Sequence, residues 1–395
     1  MNEVFIKQFF SEKGELANNI DDYRVRQEQV DISVLIDEAI THKKKLIVEA
    51  GTGIGKTFAY LVPAFLSGGK IIISTATKNL QDQLFTKDIP MIRDALKVPV
   101  SLAMLKGRSN YLCHLRLENA MIEGAFMNKE DVTYLHLVNQ HAKYSDDGDR
   151  AELDTIPESS SIWPQVTSTK ENCLGQDCSF YKECFVMNAR KKALAADVTI
   201  VNHHLFFADL NMKEEGVSEL LPKAATVIFD EAHQIPDIAS IFFGKNISTS
   251  QIGELVQDGY QIYLKHMKDV SDFEPILNDL EKANKDFRLA FPRESNRYPY
   301  QKISSFSRFD PAYEDLVEKL KKLIELLAHH KDRDTEIENY FDSTHEILSR
   351  LDAWREDKDN NSIKWVEVYS QSLQLNNTPL SIADMFAKQI GRAHV

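Results

Sequence analysis

The sequence predicts an α/β protein, a parallel sheet covered by helices and interrupted by two long, mainly helical insertions. Three observations predict it. Short apolar runs alternate with helical stretches over residues 44–105 and return at 197–229. A glycine-rich loop, Ala50–Thr57, follows one such run and precedes a helix. An acidic pair, Asp230-Glu231, ends another, where open α/β sheets place their ligands.

Residues 1–40 read as helical. Lys44–Glu49 ends in Leu46-Ile47-Val48 and is expected to be a buried parallel strand. A helix is expected from Thr57 to Leu66, a second strand at Lys70–Ser74, a helix from Asn79 to Ile92 and a third strand at Pro99–Leu105. The alternation then breaks: residues 106–196 read as helix and loop, with a Ser-, Asp- and Glu-rich loop at Ser145–Ser161. Strands resume at Asp197–Val201 and Thr226–Phe229. Residues 246–376 again read as mainly helical. Leu316, Leu320, Leu323, Ile324 and Leu327 share one helical face, with Glu318 and Lys322 four apart on another.

The 395 residues suffice for two or three domains, and 43% hydrophobic with 27% charged is an ordinary globular balance. No apolar run reaches 18 residues and no basic-plus-apolar leader opens the chain, so an unexported, cytoplasmic protein without membrane association is expected. The net charge of −13 does not favour nucleic acid, but Lys106 with Arg108, and Arg190 with Lys191 and Lys192, form local basic groups near cysteines.

The loop has the form A-x-x-x-x-G-K-T, with Ala50 where the strict pattern has Gly. Gly51, Gly53 and Gly55, with Thr52 among them, let the backbone close on phosphate oxygens at a helix N-terminus. Lys56 would neutralise the outer phosphates and Thr57 would hold Mg²⁺. In Asp230-Glu231-Ala232-His233, Asp230 would act on Mg²⁺, Glu231 would polarise the attacking water, and His233 would couple nucleotide state to the rest of the protein. Upstream, Gln29 can pair with an adenine edge and Tyr23 can stack on a base, with Arg26 between them.

The chain's four cysteines, Cys113, Cys173, Cys178 and Cys184, are spaced C-x59-C-x4-C-x5-C. In an intracellular chain they read as ligands rather than disulfides. Spacing alone leaves an iron–sulfur cluster, zinc and unligated thiols open. His114 reads as a surface residue. His203 and His204, adjacent in sequence, make a poor metal pair and read as a structural or DNA-facing loop. Thr75, Thr77, Gln81 and Gln83 suit phosphate contacts, with a helix N-cap as the alternative for Thr77.

Together, Glu49–Thr57, Ser74–Leu84, Leu105–Cys113, Asn172–Phe185, Val201–Leu205 and Phe229–His233 resemble the DinG/XPD-type iron–sulfur superfamily 2 DNA helicases, most of all the bacterial YoaA branch. The resemblance covers about residues 15–390. It implies a RecA-like P-loop lobe (1–105, 193–242 and 373–390), an iron–sulfur domain (106–192) and a helical Arch domain (243–372), with Thr378-Pro379-Leu380 marking the return to the lobe. It also implies ATP, Mg²⁺ and a [4Fe–4S] cluster on Cys113, Cys173, Cys178 and Cys184, with Arg26 and Gln29 reading adenine. The implied activity is 5′→3′ translocation on single-stranded DNA and unwinding of forked duplexes in DNA repair or replication, by a monomer. Lys106, Arg108 and Arg190–Lys192 become candidate DNA-backbone contacts.

The family's second motor lobe has no counterpart in these residues, so weak nucleotide binding and poor hydrolysis are expected of them alone. Ile390–Val395 reverse-translates to a common sequencing-adapter string, so 391–395 is expected to be non-native. Two rival readings are a non-catalytic DNA- or protein-binding fragment and a zinc-stabilised ATPase switch acting on protein.

Overall fold

The computed structural model describes residues 2–20, 23–123, 129–169, 172–214, 220–303, 305–356 and 362–379. The last stretch of the expected lobe, from residue 380, and the adapter-like tail lie outside the described residues. The chain divides into two compact units. Among the described residues, the first comprises 2–106 and 188–238, and the second comprises 107–187 and 239–379.

The first unit is a parallel α/β sheet of four strands: β1 (Ile71–Thr75), β2 (Leu102–Met104), β3 (Val198–Asn202) and β4 (Thr226–Phe229), in the order β2-β3-β1-β4. All three pairings are parallel, with Ile73 opposite Ile200 on one side and Ile228 on the other. β1 is central, and its five residues are all buried. Removing each of its isoleucines from water stabilises the sheet by about 1.5–3 kcal/mol. Ile6, Phe9, Phe10, Val30, Leu61, Phe65 and Ile92 close the core against it. The helix Lys56–Ser67 contributes Leu61, Val62, Ala64 and Phe65. The expected helix at 79–92 is Lys78–Gln83, a π-helical turn at Leu84–Asp88, and Ile89–Leu96.

One expected strand does not form. Leu46-Ile47-Val48 has no regular structure and is exposed, Ile47 to 96%. An apolar run becomes a strand only where a neighbour takes up its N–H and C=O groups. Among the described residues none does so for this run, and β4 forms the sheet's outer edge.

The second unit holds the cysteine segment together with long helices, notably Thr249–Ile262, Phe273–Leu289, Phe309–Ala328 and Thr335–Glu356. The leucine stripe behaves as its spacing requires: Leu316, Leu320, Leu323 and Leu327 are fully buried, and Ile324 packs against them half-buried. Glu318 and Lys322 pair at 2.6 Å on the exposed side. The helices are joined by something the sequence reading missed, a four-stranded antiparallel sheet. It consists of β5 (Lys245–Ser248), β6 (Asn296–Pro299), β7 (Ser362–Val368) and β8 (Leu373–Pro379), in the order β5-β8-β7-β6. Its signal is the alternation of buried Val366, Val368, Leu373 and Leu375 across a tight turn. The segment expected to return to the lobe at 373–379 therefore pairs with β5 and β7 in the second unit. Arg288 is buried under this turn, and its guanidinium donates to the carbonyls of Phe291, Pro292, Tyr369 and Ser370.

Candidate functional site

The glycine loop opens the helix Lys56–Ser67 in the first unit. Gly53 and Gly55 hold φ of +82° and +85°, a region that side chains with a Cβ rarely enter. A Cβ at Gly55 would also overlap Nε2 of Gln29. The upstream helix Gln27–Thr41 supplies that neighbour. Gln29, buried, donates through Nε2 to the Gly55 carbonyl at 2.9 Å, and the exposed Arg26 guanidinium donates to the Gly53 carbonyl. Lys56 Nζ donates to the Ala50 carbonyl at 3.1 Å, across the loop's span. Arg26, Gln29 and Lys56, singled out in the sequence, thus converge on one loop. Tyr23 instead donates its hydroxyl to the Phe10 carbonyl at 2.9 Å, a structural bond.

The acidic box joins this loop through a residue the sequence reading missed. Tyr60, one turn into the helix, donates its hydroxyl to Asp230 Oδ2 at 3.4 Å and bonds the Thr57 side chain. It bridges the two side chains expected to hold Mg²⁺. Burial, then the Asp230 carboxylate, pushes the Tyr60 hydroxyl well above its usual range, so it stays a donor. Its spacing from Thr57, three residues along a helix, was the available signal. Burial first, then the Glu231 carboxylate, raises the Asp230 carboxyl. A divalent cation there would offset both.

The box is locked onto the sheet. The Asp230 N–H donates to the Ser74 carbonyl at 2.8 Å, extending the β1–β4 ladder by one bond. Glu231 follows with φ of 55°, the left-handed region unusual for a non-glycine residue, and strain of this kind concentrates at functional sites. Its carboxylate lies 3.4 Å from His233 Nδ1 on the exposed side. Behind the box, His203 is buried with Nδ1 2.7 Å from the Ser74 hydroxyl, and burial lowers its pKa. His203 and His204 begin a helix, His203–Glu214, rather than a loop; His204 is exposed.

The phosphate-contact candidates after β1 divide. Thr77 caps its helix, accepting from the Leu80 N–H at 3.3 Å. Thr75 and Gln81 are buried, while Gln83 is exposed and donates to Asp88 at 3.0 Å. Lys106, expected as a DNA-backbone contact, is only 4% exposed, pairs with Asp82 at 2.9 Å and offers no free charge to DNA. Arg108 is half-buried, as is Arg190, whereas Lys191 and Lys192 are exposed.

The four cysteines are half-buried and lie in the second unit. Cys113 immediately precedes the helix His114–Glu123 and Cys184 the helix Phe185–Ala195. Burial pushes the Cys113 thiol up, the Arg116 backbone N–H opposes it, and Cys173 and Cys178 add to the rise. Burial also raises Cys178, with Cys173 and Cys184 contributing. The thiols are therefore within electrostatic reach of one another. Among the described residues no three ligating side chains gather closely enough for a single metal ion. By donor chemistry the four thiols suit a cluster or a zinc ion alike. His114 stacks on Phe185 with ring centroids 4.6 Å apart, a packing role. Among the described residues no helix is long and apolar enough to cross a membrane.

The family pattern described as DEAD/DEAH box helicase matches residues 33–144. A Haemophilus influenzae protein named ATP-dependent DNA helicase YoaA is 42% identical over 386 residues, covering 98% of this chain and 60% of that protein. Its Escherichia coli namesake is 39% identical over 377 residues, covering 95% and 59%. A Bacillus subtilis protein named 3′-5′ exonuclease DinG is 26% identical over 386 residues, covering 89% and 40%. The chain thus spans about three-fifths of the length of the two YoaA proteins.

Proposed function

We propose that this chain, which belongs to the DEAD/DEAH box helicases, is the portion of an ATP-dependent DNA helicase that binds nucleotide and carries a thiolate-ligated cluster. The observation that carries this reading is the convergence of Arg26, Gln29, Lys56, Thr57, Tyr60 and Asp230 around one glycine loop. In it, the backbone of Gly51–Gly55 and Lys56 bind phosphates, and Arg26 and Gln29 set the loop and read the base. Thr57 and Asp230 hold Mg²⁺, Glu231 orients the attacking water, and the exposed His233 relays nucleotide state. Cys113, Cys173, Cys178 and Cys184 would hold a [4Fe–4S] cluster, which when bound would cross-link their segments.

The substrate class is single-stranded and forked DNA, translocated 5′→3′ by a cytoplasmic monomer acting in repair or replication. Residues 1–105 with 193–242 form the motor lobe, 106–192 the cluster domain, and 243–372 the Arch. These 395 residues alone bind nucleotide weakly and turn it over slowly, because such motors hydrolyse ATP between two lobes.

The test compares this chain with a version extended to the relatives' length, measuring ATP hydrolysis with and without single-stranded DNA. DNA should stimulate the extended chain strongly and this chain little, and Lys56→Ala should abolish turnover while sparing DNA binding. Nucleotide binding without DNA stimulation in the extended chain would favour an ATPase switch acting on protein instead. DNA-stimulated turnover by the 395 residues alone would overturn the two-lobe requirement.

A further inference from the structure

The cysteine-bearing segments are held from outside by one carboxylate. Asp258 belongs to the helix Thr249–Ile262, far from any cysteine in sequence. Its Oδ1 accepts from Arg116 Nη1 at 2.7 Å, and its Oδ2 accepts from Asn172 Nδ2 at 3.2 Å. Arg116 stands three residues after Cys113, and Asn172 immediately precedes Cys173. Both partners are further fixed. Arg116 Nη2 and Nε donate to the Pro164 carbonyl at 2.7 and 3.2 Å, and Asn172 Oδ1 accepts from the Thr169 N–H at 2.8 Å. The ion pair is largely dry, its side chains 17% and 16% exposed.

We infer that Asp258 is a positioning residue for the cysteine centre: it ties the segment after Cys113 to the segment before Cys173. These two cysteines are separated by 59 residues, so no local turn can bring them together. Cys178 and Cys184 lie five and eleven residues after Cys173 and are held by the local chain. The clamp therefore acts on the remote pair and leaves the near pair to its own loop. A carboxylate suits the task because it can take a guanidinium on one oxygen and an amide on the other. This inference rests on the cysteines forming one centre, though not on which metal fills it.

The test is alkylation of the metal-stripped chain by iodoacetamide, with each cysteine's rate read separately by peptide mass. In Asp258→Ala, Cys113 and Cys173 should label roughly tenfold faster or more, as loss of a mostly buried pair implies, while Cys178 and Cys184 change little. Asp258→Asn keeps the shape and one acceptor and should fall between. Equal acceleration of all four thiols would mean general unfolding and would overturn the inference, as would no change at any. If Asp258→Ala does not fold, Asp258→Asn carries the same comparison. Iron and zinc content of the unstripped chain is measured alongside. Absence of metal with the predicted labelling pattern would remove the cluster reading and leave the clamp standing.

Discussion

The two units solve the assembly of a site in opposite ways. In the first, the glycine loop is gripped at close range: Gln29 and Arg26 donate to its carbonyls, Lys56 folds back onto Ala50, and Tyr60 reaches Asp230. Protein groups alone hold that geometry. In the second, four thiols are half-buried, and burial disfavours the thiolate of Cys113 and of Cys178. Helix N-termini and the Arg116–Asp258 pair bring the segments together, but the charge is balanced only by what the thiols bind. On the proposed reading, the nucleotide site is built before its ligand and the cysteine centre would be completed by its ligand.

That contrast can be broken at several points. The largest effect is expected at Leu320, fully buried in the helical core. Leu320→Ala should cost about 2–5 kcal/mol in the second unit, seen as a lower denaturant midpoint by circular dichroism, with nucleotide binding by the first unit unchanged. Coupled loss of both would mean the units do not behave independently. Next comes Lys56→Ala, which should weaken nucleotide binding by on the order of 100-fold, the scale for a group aimed at concentrated negative charge. Equilibrium dialysis with labelled ATP measures it, and a loss under threefold would remove Lys56 from the site.

Asp230 tests the electrostatics. Burial and Glu231 raise its carboxyl above the ordinary carboxylate range. A raised folded-state value means the fold prefers the protonated form, so this contribution is present at low pH and is lost as pH rises through the raised value. At neutral pH the buried charge destabilises the metal-free protein. Asp230→Asn should therefore stabilise it by about 1 kcal/mol, read as a higher melting temperature at neutral pH, while Mg²⁺-dependent nucleotide binding is lost. The gain should shrink towards pH 4, and a lower melting temperature at neutral pH would contradict the sign. The smallest effect is expected at the exposed Glu318–Lys322 pair. Lys322→Ala should lower the denaturant midpoint followed by circular dichroism only slightly, and by less at high salt.

Much of this was legible in the sequence because it is local. The glycine loop, its helix, the acidic box after Val227-Ile228-Phe229 and the leucine stripe each carry their signal within a few residues; the helix, the box and the stripe lie where their patterns require, while the strand expected before the loop does not form. What escaped depends on distant partners. Leu46-Ile47-Val48 has a strand's composition, but strand formation is decided by a neighbour's backbone, which the run itself does not encode. The antiparallel sheet was hidden because its strands lie up to about 130 residues apart, and two of them span only four residues each. Tyr60 looked like a core aromatic until the fold set Asp230 against it, 170 residues on. Lys106 looked like a DNA contact until Asp82 claimed its charge.

The central claim is that one chain carries both a preformed phosphate loop and a cysteine centre completed by a cluster. Purification without oxygen, followed by the visible spectrum and the iron and sulfide content, tests it most directly. The account predicts a brown protein with a broad band near roughly 400 nm and about four irons per chain, all lost when the four cysteines are replaced by serine. A colourless protein holding a single zinc, with the phosphate loop still binding nucleotide, would contradict it.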